Sequence, residues 1–99
     1  MRLIELEPRW IHTNVFLFKC PHCQKDLLSC KNVVMSSQEQ YDLFEKVLGK
    51  DWNMVVVGCK EAMAWNISGQ SFENMTVTPS IDASGSGHWH GNITNGVIQ

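Results

Sequence analysis

The tetrapeptide Cys20-Pro21-His22-Cys23, entered directly from the β-branched and aromatic run Val15-Phe16-Leu17-Phe18, is the feature that most restricts the fold of this chain. Two thiolates separated by two residues can aim at one point about 2.3 Å from each sulfur, where a tetrahedral zinc ion would sit. The apolar run reads as the end of a strand over Thr13–Lys19, and Asp26–Val34 reads as the returning strand. The knuckle then becomes the turn of a hairpin, with Cys30 on its returning arm. One pair at this spacing leaves the other ligands open, and Cys30, Cys59, His12, His88 and His90 are the candidates.

A redox dithiol and two inert thiols are the competing readings. A redox motif of the thioredoxin kind opens a helix after a strand, whereas Gln24-Lys25-Asp26 leads into a second strand-like run. Structural zinc is the cofactor expectation. A chain of 99 residues gives it a purpose: a domain this small buries only about two-thirds of its unfolded surface, so a cross-link adds what packing cannot.

One domain spanning 1–99 is expected. With 43% apolar and 18% charged residues the chain is too apolar to be disordered. A net charge of −2 with no Lys/Arg run gives no footprint for a phosphate backbone, so nucleic acid is not an expected partner. Neither a signal-peptide core near Met1 nor a later apolar stretch of membrane-spanning length is present, which points away from membranes and toward the cytoplasm. In a reducing compartment, cysteines serve as thiols or metal ligands rather than disulfides.

Elsewhere the pattern predicts an α+β fold: a small, mostly antiparallel β domain with a zinc-knuckle hairpin and one packing helix at about 38–48. Leu3–Leu6 reads as a strand. Ser36 or Ser37 can cap the helix, with Glu39 or Gln40 completing a capping box. Tyr41, Phe44, Val47 and Leu48 form its apolar face, and Gly49 stops it. Val55–Val57 and Ala62–Ile67 read as short strands, the first ending near Cys59.

Two further strands carry candidate chemistry. In the first, Met75, Val77 and Ile81 share one face and Thr76, Thr78 and Ser80 the other; in the second, His88 and His90 share a face before an Asn95-Gly96 turn. Residues 82–87 read as a flexible connection between them. If the two strands pair antiparallel with an even residue sum, Ser80 lies opposite or diagonal to a histidine. A serine becomes a nucleophile when such a base accepts its proton, and Asp82 or Glu73 is the nearest carboxylate in sequence to orient the imidazole. The alternative is that Ser80 ends a strand and the histidines bind metal or face solvent.

The segment Thr76-Val-Thr-Pro-Ser-Ile-Asp-Ala-Ser, with Gly87-His-Trp-His-Gly-Asn-Ile-Thr-Asn-Gly and the upstream cysteine pair, resembles a bacterial and phage family catalogued as a domain of unknown function. Some members of that family lie beside genes for bacterial ubiquitin-like conjugation and are regarded as serine peptidases of the ubiquitin-like protein. The resemblance implies Ser80 as nucleophile and His90 as base, acting on the C-terminal tail of a ubiquitin-like partner. Many members place a cysteine just before that histidine, where this chain has Gly87-His88-Trp89. His88 is thus either a replacement metal ligand or a second active-site imidazole. The ligand set taken forward is Cys20, Cys23, His88 and Cys59. The alternative to a hydrolase is a zinc-stabilised protein-binding module in which no bond is cleaved.

Overall fold

A computed structural model describes residues 1–55 and 64–99. It is α+β, built from two antiparallel sheets and one α-helix. The first sheet has the order β1 (Arg9–His12), β2 (Val15–Lys19), β3 (Leu27–Lys31). The second runs β4 (Asn66–Ser68), β5 (Thr76–Asp82), β6 (His90–Thr94), β7 (Val97–Ile98), and α1 spans Ser37–Leu48.

The continuous apolar run of β2 has a direct cause: the central strand of the first sheet is buried on both faces. Side chains alternate across a strand. Phe16, Phe18 and the following Cys20 join Leu28, Cys30, Met75, Val77, Ile81, Trp89 and Ile93 in the core between the sheets. Val15 and Leu17 instead join Met35, Phe44 and Val55 in a second core under α1. The molecule is therefore layered as helix, sheet, sheet. The edge of Trp89 against Phe18, at 6.2 Å between ring centroids, ties β2 to the chain entering β6.

The β2–β3 hairpin forms as expected, with Phe16 opposite Cys30 and Phe18 opposite Leu28, so the cysteine knuckle is its turn. In α1 the Ser36 hydroxyl accepts the Glu39 N–H at 3.1 Å. Gly49 ends the helix at φ +59, and its N–H returns to the Glu45 carbonyl. Phe44 is buried, whereas Val47 is 41% exposed and drops out of the expected apolar face. Gln40 takes a buried place there, its amide donating to the Met35 carbonyl at 3.0 Å.

Three expectations change. Leu3–Leu6 is a 3-10 turn rather than a strand: Leu3 and Leu6 point inward one turn apart, and the Arg2 N–H donates to the Glu5 carboxylate at 2.6 Å. Residues 84–86 form a hydrogen-bonded 3-10 turn, closed by left-handed Gly87 at φ +77, in place of a flexible connection. His88 precedes β6 instead of belonging to it, so the two histidines do not share a strand. Of the expected strand over 55–57, only Val55 is described, as an isolated bridge to Leu27; the start of the one expected from Ala62 lies outside the described residues, and its end is β4. Among the described residues, no helix is long and apolar enough to cross a membrane.

The β6–β7 hairpin turns through Asn95 at φ 49 and Gly96 at φ 75, the pair of left-handed conformations that a two-residue turn of this hand requires. A side chain on Gly96 would also collide with the Glu73 carbonyl.

Truncation of Phe18 to Ala should cost about 3–5 kcal/mol in urea unfolding, because that ring fills the space between the sheets. Val34→Ala, at a position 67% exposed, should change stability by less than about 0.5 kcal/mol. Equal effects at the two positions would contradict the layered core.

Candidate metal centre

Cys20 is the last inward-facing position after β2 and is fully buried, while Cys23, across the turn, is exposed. The knuckle is shaped by its own backbone. The Cys20 N–H donates to the Asp26 carbonyl at 2.8 Å, the Gln24 N–H donates to the Cys20 carbonyl at 2.8 Å, and Gln24 adopts a left-handed φ of 54. The Asp26 N–H points at Cys23 Sγ at 3.4 Å.

The third group arrives from the second sheet. Trp89 is anchored in the core against Phe18, two residues before Cys20, so the residue preceding it is carried to the knuckle. The His88 N–H donates to the Ala83 carbonyl at 3.1 Å, and the Ala83 N–H donates to the Trp89 carbonyl at 2.9 Å, fixing the backbone on both sides. His88 Nδ1 stands 3.7 Å from Cys23 Sγ. Two ligands of a tetrahedral zinc ion, one sulfur and one nitrogen, are separated by about 3.5 Å, given bonds of about 2.3 and 2.0 Å. One donor atom each from Cys20, Cys23 and His88 lies within 4.8 Å of the others, so this Cys2His group can hold a metal ion.

The electrostatics favour a thiolate at Cys23. The backbone N–H groups of Lys25 and then Asp26 hold its thiol below the ordinary value, with a further contribution from the Cys20 thiol; burial and the Asp26 carboxylate act in the opposite direction. Thiolate is the metal-binding form, so the same turn that aims the sulfur also prepares it.

The other candidate residues are distributed as follows. Cys30 is buried as a thiol within β3, opposite Phe16. Cys59 lies outside the described residues. His12 accepts the Asn14 N–H through Nδ1 at 3.2 Å in the β1–β2 turn. β5 and β6 pair in the even register, with Asp82 opposite His90 and Ile81 opposite Gly91, after a register shift that spans Pro79. His90 Nδ1 faces Asp82 Oδ1 at 4.0 Å, and Ser80 is two residues before Asp82 on β5. Among the described residues no hydrogen bond joins the Ser80 hydroxyl to either histidine; its carbonyl accepts the Trp65 indole N–H at 3.4 Å. Of the two candidate orienting acids, Asp82 is the one beside His90, whereas Glu73 adjoins the Asn95–Gly96 turn. Asp26, which sequence reasoning passed over, stands 3.5 Å from His88 Nε2. Its only signal in the sequence is its place three residues after Cys23.

A depressed thiol value means that thiolate persists to lower pH. In metal-free protein the alkylation rate of Cys23 should therefore rise at lower pH than in the urea-unfolded chain. The associated stability is present above the unfolded value and is lost as pH falls through the folded one. Coincident alkylation profiles would contradict the role of the turn N–H groups. Comparison with protein-family models, with curated proteins and with solved structures gives no match to this chain.

Proposed function

We propose that the chain is a small metal-stabilised module in which zinc, held by Cys20, Cys23 and His88, cross-links the β2–β3 hairpin to the chain entering β6. The observation that carries this reading is the convergence of three donor atoms within 4.8 Å from residues up to 68 positions apart in sequence. Paired thiolates with an imidazole suit zinc and disfavour the hard ions calcium and magnesium. Cys59 is the proposed fourth ligand, which would close the site and make it structural.

Protein purified from zinc-containing medium should carry one zinc per chain by elemental analysis. Cys20→Ser and His88→Ala should each reduce the metal content. Each should also lose at least about 2 kcal/mol, which is about 8–16 °C in melting temperature for a domain of this size. Cys59→Ser should weaken zinc binding while the other three ligands still bind it. Unchanged melting after complete metal removal would refute the structural role.

A second reading is catalytic, and the Asp82–His90 pairing in the even register favours it. In this reading Asp82 orients His90 through Nδ1, and Nε2 accepts the Ser80 proton as Ser80 Oγ attacks a carbonyl. A backbone amide near Ile81 steadies the oxyanion. His90 then returns the proton to the leaving amine, and water hydrolyses the acyl-enzyme. By resemblance, the substrate is the C-terminal tail of a ubiquitin-like protein in the bacterial cytoplasm, lying extended along a sheet edge.

A serine-reactive fluorophosphonate should label the zinc-loaded protein once by intact mass, and Ser80→Ala should abolish the label while leaving fold and metal intact. Labelling that persists in Ser80→Ala would remove Ser80 as nucleophile. Absence of labelling and of tail cleavage would leave the module as a binding domain.

A further inference from the structure

We infer that Asp26 is a positioning residue for the metal centre: it fixes the His88 ring so that Nδ1, not Nε2, is the ligating nitrogen. This inference rests on the metal reading above and goes beyond it by assigning the ligand atom and the group that selects it. The two ring nitrogens face different neighbours. Nδ1 is 3.7 Å from Cys23 Sγ, within reach of a shared tetrahedral ion, and Nε2 is 3.5 Å from Asp26 Oδ2. A neutral imidazole carries one ring proton. When Nδ1 gives its lone pair to the metal, that proton resides on Nε2, the nitrogen that faces the Asp26 carboxylate.

Asp26 is held for this role by the knuckle itself. Its carbonyl accepts the Cys20 N–H and its own N–H points at Cys23 Sγ, so its backbone is tied to both cysteine ligands while its side chain reaches the third. The His88 side chain is only 15% exposed and that of Asp26 is 46% exposed. The contact is thus partly open to solvent, while the His88 ring itself is largely covered. A carboxylate behind a metal-bound imidazole restricts ring rotation and raises the basicity of the ligand.

The tests are a long-range proton–nitrogen NMR correlation on the zinc-loaded protein, labelled with nitrogen-15 at histidine, and a competition titration with a chromophoric zinc chelator. The His88 pattern should show Nδ1 bound to metal and Nε2 protonated. Asp26→Ala retains both backbone contacts of the knuckle and should raise the zinc dissociation constant about 10–100-fold. Asp26→Asn keeps an oxygen acceptor for the Nε2 proton and should recover part of the loss. Ligation through Nε2 in the unmodified protein, or equal zinc affinity in Asp26→Ala and the unmodified protein, would overturn the inference. Failure of the unmodified protein to take up zinc would instead overturn the metal site on which it rests, and this inference with it.

Discussion

The fold depends on a single constraint: β2 must be buried on both of its faces. Phe16 and Phe18 need a second sheet above them, and Val15 and Leu17 need a helix below. Fully burying an aliphatic or aromatic side chain is worth about 1.5–3 kcal/mol, so leaving either face bare would forfeit much of what stabilises a domain of this length. The placement of two of the candidate metal ligands follows from this strand. Its inward alternation continues past Phe18 to Cys20, and the partner that covers Phe18 is Trp89, the neighbour of His88.

Packing and the candidate metal ligands thus meet at the same place for different reasons. Hydrophobic burial is non-directional and brings the sheets together without selecting donor atoms. The donor geometry comes from local backbone hydrogen bonds: the knuckle N–H groups around Cys23, and the Ala83 carbonyl and N–H that hold the chain on either side of His88. A zinc ion bound there would join one buried and one exposed cysteine of the first sheet to the lead-in of the second. Such a link would restrain the sheets against separation at the β2–β3 turn.

Much of this was legible in the sequence wherever the signal is local. The β2–β3 hairpin announced itself through an apolar run entering the cysteine turn, and α1 through Ser36, the spacing of Tyr41 and Phe44, and Gly49. At Leu3–Leu6, four residues cannot distinguish strand alternation from one 3-10 turn, and burial of positions three apart marks the turn. His88 and His90 have the spacing of one strand face, but the hydrogen-bonded turn over 84–86 keeps His88 outside the ladder. The approach of Asp26 to His88 joins the knuckle to the far sheet across 62 positions, and no local pattern encodes it. The even register of β5 on β6 was conditional in the sequence because Pro79 interrupts the ladder there, and the observed pairs fix it.

X-ray absorption at the zinc edge of the purified protein tests the central claim most directly, because it reads the ligand shell without any substitution. The account predicts at least two sulfur neighbours at about 2.3 Å and at least one nitrogen at about 2.0 Å, with the multiple scattering of an imidazole ring. A shell of sulfur alone, a shell of oxygen and nitrogen alone, or a protein that takes up no zinc would contradict it.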